Sequence, residues 1–122
     1  NDSKATNLTA MRFAIDQMNK PFCLILCGTP SKEHYKAQEI LGPEKIYIFG
    51  SHANEINKKI LHRNKALLAN QNLEQALKSI VNDKNFCSWS CILFAPGHPS
   101  GKDYKNFEER GDDFKKIIQN LC

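Results

Sequence analysis

The sequence lacks the patterns that indicate a membrane-spanning segment or a nucleotide-binding site. Its 122 residues contain no apolar run near the ~20 residues that cross a bilayer, and no signal-peptide pattern opens them. No strand-like run is followed by G-x-G-x-x-G. The segment Gly97–Lys102 has three residues between its glycines where a P-loop has four, and Asp103 stands where Ser or Thr would bind magnesium. We therefore expect no membrane contact and no triphosphate site within this chain.

The cysteines form neither a disulfide framework nor a metal-binding pattern. There are five of them, an odd count in a chain without secretory context. Cys23 and Cys27, and likewise Cys87 and Cys91, are spaced C-x-x-x-C, but no His lies at finger-like spacing from either pair. Because these cysteines lie in or beside apolar runs, we interpret them as buried thiols in a reducing compartment. No metal site is expected.

Charge of one sign is not concentrated anywhere. The net charge of +4 is divided evenly, with eight basic and six acidic residues in 1–61 and nine and seven in 62–122. A local basic cluster within 58–65 is interpreted as a solvated helix face. The charge pattern therefore predicts no nucleic-acid partner.

What is present is an alternation of apolar runs and amphipathic segments. Short apolar runs predict strands at Phe22–Cys27, Ile46–Phe49, Ala66–Ala69 and Cys91–Ala95. Helical spacing predicts helices over Leu8–Met18, Glu33–Leu41, Ala53–Ile60, Leu73–Val81 and a last helix with Phe114, Ile117, Ile118 and Leu121 facing inward. The connections are too long for hairpins. The pattern predicts one α/β domain over 1–122, a three-layer Rossmann-like fold with a mostly parallel sheet and helices on both faces.

The loops that leave the strands should share the carboxyl edge of such a sheet, where ligands bind. Ser100 lies in the last of these loops, and the next helix begins with unpaired backbone N–H groups up to about Phe107. With Lys32 from a neighbouring loop, these groups suit a carboxylate- or phosphate-sized anion. Ser100 could equally be a turn residue in a Pro/Gly loop, and both interpretations stay open at this stage. No G-x-S-x-G elbow supports a hydrolase.

Two motifs at opposite ends of the chain resemble a known family. Asn1–Asn7 reads NDSKATN, and Tyr104–Phe114 reads YKNFEERGDDF. They resemble a segment and the closing signature of the MurD ligases of bacterial peptidoglycan synthesis. The resemblance covers the whole chain as the family's third, C-terminal domain.

The resemblance implies an ATP-dependent, amide-forming ligase. In that family ATP phosphorylates the carboxylate of UDP-MurNAc-L-alanine, and the amine of D-glutamate attacks the acyl phosphate. The first domain holds the uridine nucleotide, the central domain holds ATP and magnesium, and the third binds D-glutamate. This chain has no Met at position 1 and would lack the first two domains. By this resemblance we expect a fragment that is inactive alone and binds no cofactor by itself, from a monomeric cytoplasmic enzyme.

The resemblance also implies roles for particular residues. Ser100 matches the serine that binds the side-chain carboxylate of D-glutamate, and Phe107 matches the phenylalanine whose backbone N–H assists it. Thr6 matches a threonine that contacts D-glutamate. Asp2 and Lys4 match residues that face the nucleotide.

Lys32 matches the lysine that neutralises D-glutamate, but two stretches depart from the family pattern. The family has Gly-Gly-x-x-Lys where Cys27–Lys32 places its lysine one residue later, and Gly97–Pro99 replaces small residues and Cys before the serine. These departures predict a site of altered geometry. The alternative hypothesis is a free-standing α/β module that binds a small anion without catalysis; an upstream G-x-x-G-K-[ST] segment would decide against it.

Overall fold

The computed structural model describes the chain at residues 1–30, 37–62, 67–68, 72–83, 91–100 and 103–121, with the backbone alone at 67, 68 and 121. Six strands lie within these residues: β1 Phe22–Leu26, β2 Gln38–Glu39, β3 Lys45–Ile48, β4 Ile60–Leu61, β5 Leu67–Leu68 and β6 Cys91–Phe94. The helices are α1 Leu8–Asp16, α2 Ala53–Lys58, α3 Leu73–Val81 and α4 Phe107–Leu121.

Four parallel strands form the central sheet, in the order β5-β3-β1-β6. The central strand β1 pairs with β3 through Leu24 opposite Ile46, and with β6 through Leu24 opposite Leu93. All five residues of β1 are buried, which explains why its sequence is a continuous apolar run. The predicted strands and the parallel sheet are confirmed.

Helices cover both faces of the sheet. Residues of α1 and α2 pack on the face formed by Leu24, Leu26 and Ile46, while α3 and α4 pack on the face formed by Cys23 and Ile25. Successive strand residues point to opposite faces, so one apolar run supplies both cores. The three-layer α/β architecture predicted from the sequence is therefore confirmed.

The cysteines that the structure describes are free. Cys23 and Cys27 are fully buried on the α3/α4 face, as expected for thiols that act as small apolar residues. Cys91 is only half-buried at the start of β6, and Cys87 lies outside the described residues.

Asparagine begins three of the helices. The side chains of Asn7, Asn72 and Asn106 each accept a hydrogen bond from the backbone N–H three residues later, over 2.8, 2.9 and 2.8 Å. Such a cap satisfies one of the donors that a helix start leaves unpaired. The predicted start of α1 at a cap residue is thus confirmed, although α1 ends at Asp16 rather than near Met18.

The helix predicted over Glu33–Leu41 is wrong where the structure describes it. Gln38 and Glu39 form β2, which pairs in parallel with β4, and this second sheet was not expected. Backbone bonds from Gln38 to Lys59 and from Ile40 to Leu61 continue the pairing. Pairing between distant segments therefore overrides a weak local helix pattern. Residues 33–36 lie outside the described residues.

The helix predicted from Ala53 is also shorter than expected. It ends at Lys58, so Ile60, placed on its inner face by periodicity, belongs instead to β4. The basic cluster within 58–65 is consequently not one helix face. His62, at the end of β4, contacts the Pro43 carbonyl oxygen through Nε2 at 2.8 Å.

In the part of the chain that the structure describes, no helix combines the length and the apolar composition needed to cross a membrane.

Candidate functional site

The N-terminal segment Asn1–Asn7 lies against the carboxyl end of β6. The backbone N–H of Asp2 donates to the Phe94 carbonyl oxygen at 2.7 Å, and the N–H of Gly97 donates to the Ala5 carbonyl oxygen at 2.8 Å. The first motif is thereby held along the loop that leaves β6. This loop is the one that carries Ser100.

The side chain of Arg110, on the first turns of α4, joins three segments of the chain. Its Nη2 donates to the Ser3 carbonyl oxygen at 2.7 Å and its Nε donates to Ser3 Oγ at 3.0 Å. Its Nη1 donates to the His98 carbonyl oxygen at 2.9 Å and contacts Cys27 Sγ at 3.9 Å. One arginine thus links the N-terminal segment, the loop after β6 and the end of β1 to α4.

Ser3 completes this connection. Its Oγ donates to the Phe107 carbonyl oxygen at 2.7 Å while it accepts from Arg110, and Asn1 Nδ2 donates to the Gly111 carbonyl oxygen at 3.0 Å. A Cβ at Gly111 would lie only 3.0 Å from the Cβ of Ser3. The close approach explains why glycine follows arginine in the second motif.

The loop with Ser100 passes directly over the end of β1. The N–H of Thr29 donates to the Pro99 carbonyl oxygen at 2.9 Å. Gly28 has a φ of +113°, and a Cβ there would overlap with the Pro99 carbonyl oxygen. Only glycine allows both the backbone conformation and the close approach. Ser100 itself is half-buried at this edge.

The start of α4 contributes backbone donors to the same edge. Asn106 caps the helix by accepting from the Glu109 N–H, which leaves the N–H groups of Phe107 and Glu108 beyond the intrahelical bonding pattern. The approach to the helix is held by a short hydrogen bond from the Tyr104 hydroxyl to Asp113. Such a helix start favours a negatively charged ligand group.

A buried positive charge lies beneath this edge. Arg110 is fully buried, and among the described residues it donates only to uncharged groups. Burial lowers the pKa of the Arg110 guanidinium, yet an arginine keeps its charge at neutral pH. Burial raises the pKa of the neighbouring Cys27 thiol to about 12, with Arg110 opposing that rise, so the thiol stays neutral. The buried guanidinium of Arg110 therefore supplies one positive charge beneath the edge, and the Asp103 carboxylate lies close enough to interact with it.

The end of β3 is closed by a carboxylate of the chain itself. Asp103 accepts from the Ser51 hydroxyl at 2.6 Å and from the Ser51 N–H at 3.2 Å. A Cβ at Gly50, whose φ is +100°, would lie 2.5 Å from Asp103 Oδ2. The donors that could have held a phosphate here are occupied. The described residues contain no group of three His, Cys, Asp or Glu side chains placed to hold a metal ion.

The structure gathers the elements that carry most of the predicted site residues. Thr6 is half-buried in the N-terminal segment, Ser100 in the loop after β6, and Phe107 begins α4 with 39% of its surface exposed. In the same segment Asp2 is half-buried and Lys4 exposed. Lys32 lies outside the described residues.

Sequence reasoning missed the residues that hold these elements together. Ser3 and Arg110 lie inside the two motifs. Apart from His98, the residues to which their side chains hydrogen-bond are more than 80 positions away in the sequence. Asp103 was considered only as a mismatch to a P-loop, whereas it binds the loop after β3. The sequence does place an Arg-Gly pair, Arg110 and Gly111, near the start of the last predicted helix. Such a pair does not by itself identify its hydrogen-bond partners.

No protein-family model matches the chain, but it is similar to curated ligases. It is 34% identical over 99% of its length to the UDP-N-acetylmuramoylalanine–D-glutamate ligase of Fervidobacterium nodosum, 32% over 98% to that of Protochlamydia amoebophila, and 31% over 98% to that of Prochlorococcus marinus. The chain spans only 26–29% of the length of these relatives.

A parallel sheet with helices on both faces defines a three-layer α/β domain of the Rossmann-like class. The similarity extends over nearly all of the chain. The chain therefore resembles about a quarter of a UDP-N-acetylmuramoylalanine–D-glutamate ligase, or MurD ligase, as a fragment of such an enzyme would.

Proposed function

We propose that this chain is the C-terminal, D-glutamate-binding domain of an ATP-dependent ligase that joins D-glutamate to UDP-MurNAc-L-alanine in bacterial peptidoglycan synthesis. One observation carries the proposal. The segment with Thr6, the loop with Ser100 and the helix start at Phe107 are bonded together at one edge of the sheet. The names of the relatives include D-glutamate, a small acid whose carboxylates suit the donors at this edge.

In this proposal the edge binds the side-chain carboxylate of D-glutamate. The Ser100 hydroxyl and the Phe107 backbone N–H donate to it, Thr6 contacts the same amino acid, and Lys32 supplies the neutralising charge. Hydrogen bonds to a charged group contribute about 1.5–3 kcal/mol each, enough for an amino acid at modest affinity. The buried charge of Arg110 adds a favourable field beneath the site.

The nucleotide is proposed to bind elsewhere in the ligase. The occupation of the Ser51 donors by Asp103 supports this division. Asp2 and Lys4 are proposed to face ATP and magnesium held by the remainder of the enzyme, and ATP supplies the activation of the carboxylate. The proposed enzyme is a monomer of the cytoplasm, and the isolated chain is expected to be inactive.

Replacing Ser100 tests the proposal in a full-length ligase that contains this chain. Ser100→Ala should raise the KM for D-glutamate about 10- to 100-fold, because one hydrogen bond to a charged group is lost. The KM values for ATP and UDP-MurNAc-L-alanine should stay within about twofold. Ser79→Ala, an exposed serine on α3, is the matched control. Unchanged kinetics for Ser100→Ala would remove this residue from the site.

A second assay tests the division of labour. The isolated chain, given ATP, UDP-MurNAc-L-alanine and D-glutamate, should form no product. Turnover by the isolated chain would contradict the proposal that the catalytic groups lie in the remainder of the ligase.

A further inference from the structure

Ser3 occupies the junction of the two sequence motifs without facing the ligand edge. It is 6% exposed, and its hydroxyl both donates to the Phe107 carbonyl oxygen and accepts from Arg110 Nε. A hydroxyl has one proton to donate, and that proton is already used. Ser3 therefore acts through its neighbours and not by touching a substrate.

We infer that Ser3, with Arg110 as its partner, is a positioning residue that sets the geometry of the D-glutamate site. This inference rests on the function proposed above. Ser3 fixes where the N-terminal segment stands relative to α4, and Arg110 fixes both relative to the loop after β6. The pair is called the Ser3–Arg110 clamp below.

Three of the four proposed D-glutamate contacts, all but Lys32, lie close in sequence to an atom that the clamp holds. Phe107 accepts from Ser3 through its own carbonyl oxygen, so the clamp acts on the residue that begins α4. Ser100 is two residues beyond His98, whose carbonyl oxygen accepts from Arg110. Thr6 is three residues beyond Ser3. A displacement of the clamp would therefore reach all three contacts.

The chemistry of the clamp is specific to these two side chains. Arg110 uses three of its nitrogens in different directions, which suits the fixed fork of a guanidinium and not the single ammonium of lysine. Ser3 packs so closely on Gly111 that a Cβ added there would lie 3.0 Å from the Ser3 Cβ, and Ser3 must carry a hydroxyl to bond on both sides. Alanine preserves the size of the side chain and removes only the hydroxyl.

The decisive experiment measures steady-state kinetics of Ser3→Ala in a full-length ligase that contains this chain. Loss of the hydroxyl should raise the KM for D-glutamate about tenfold, the equivalent of one lost hydrogen bond. The KM values for ATP and for UDP-MurNAc-L-alanine should stay within about twofold. Arg110→Lys should raise the D-glutamate KM further, and the double variant no further than Arg110→Lys alone, because both changes break the same clamp.

A matched control separates positioning from stability. Asn72→Ala removes the cap of α3 and so lowers the stability without touching the clamp. Its KM for D-glutamate should equal that of the parent enzyme. An equal rise in the control, or no rise in a folded Ser3→Ala enzyme, would overturn the inference.

Hydrogen exchange provides a readout that does not depend on D-glutamate. In Ser3→Ala, amides in 95–100 and in the first turn of α4 should exchange faster, while those of α3 should not change. Unchanged exchange at both places would show that the clamp is absent. If exchange changes as expected while Ser100→Ala has no effect on D-glutamate kinetics, the clamp stands as a structural device, but its positioning role fails together with the proposed function.

Discussion

A cationic side chain joins distant segments at each end of the central sheet, Lys45 at the amino end and Arg110 at the carboxyl end, and the two differ in burial. At the amino end, Lys45 Nζ lies 2.6 Å from Asp83 Oδ2, with 32% and 13% of the two side chains exposed. At the carboxyl end, Arg110 is 0% exposed and bonds to Ser3, His98 and Cys27.

The difference lies in what can replace the cation. At Lys45 the ion pair is partly exposed, so water can reach its charges more easily than at Arg110 once the pair is broken, and its loss costs less. At Arg110, water has no access, and loss of the guanidinium leaves buried carbonyl and hydroxyl oxygens without donors. The comparison indicates that the amino end is held by packing, whereas the carboxyl end depends on one side chain.

The largest expected effect is the loss of that side chain. Arg110→Met should lower the free energy of unfolding by roughly 3 kcal/mol or more, because several buried acceptors each cost about 1–3 kcal/mol when left unpaired. Lys45→Met should lower it by less than about 1 kcal/mol. Equilibrium urea unfolding of both variants checks the ranking, and equal losses would mean that the two ends are not held differently.

Alkaline pH should weaken both ends through their buried thiols. Burial raises the pKa values of Cys23, near Lys45 and Asp83, and of Cys27, beside Arg110, each to about 12 from an ordinary value of 9. Between these values the unfolded chain releases protons that the folded chain retains, so stability falls as pH rises. The contribution is fully present below pH 9, and the slope is about 1.4 kcal/mol per pH unit per thiol.

Unfolding measured between pH 8 and about pH 11, in reductant, checks this expectation. Cys27→Ala should remove one thiol from the pH dependence and Cys23→Ala the other, whatever each does to stability at neutral pH. An unchanged slope in either variant would show that the thiol in question does not titrate as inferred.

The smallest expected effect is that of salt. A double-mutant cycle between Lys45 and Asp83 should give a coupling energy below about 1 kcal/mol that shrinks in 1 M NaCl, where the screening length is about 3 Å. The coupling between Ser3 and Arg110 should not change with salt, because both groups are buried. A salt-sensitive coupling at the carboxyl end would show that water reaches Arg110.

Much of the architecture could be predicted from local patterns. The strand β1 and the helices α1, α3 and α4 have continuous apolar runs or clear helical periodicity, and these elements appear near their predicted places. The prediction failed over Gln38–Leu41 and at Ile60, where two-residue strands exist only because they pair with each other. Such short strands have no periodicity to detect.

The candidate site divides along the same line. The sequence alone predicted roles for Thr6, Ser100 and Phe107, from their residue types and from the family resemblance of their motifs. The side chain of Asp103 in the turn after β3, and the burial of Arg110 among uncharged partners, were not.

The sequence by itself determined the layers of this protein, since the alternation of apolar runs and amphipathic helices leaves few other ways to bury both faces of a sheet. Only the tertiary structure decided how the two motifs meet. Ser3 and Arg110 are 107 positions apart, and a hydrogen bond over that separation depends on the packed positions of the sheet and of α4. No local pattern records which distant donor satisfies which acceptor. For this reason the polar connections at the carboxyl edge had to be observed and could not be predicted.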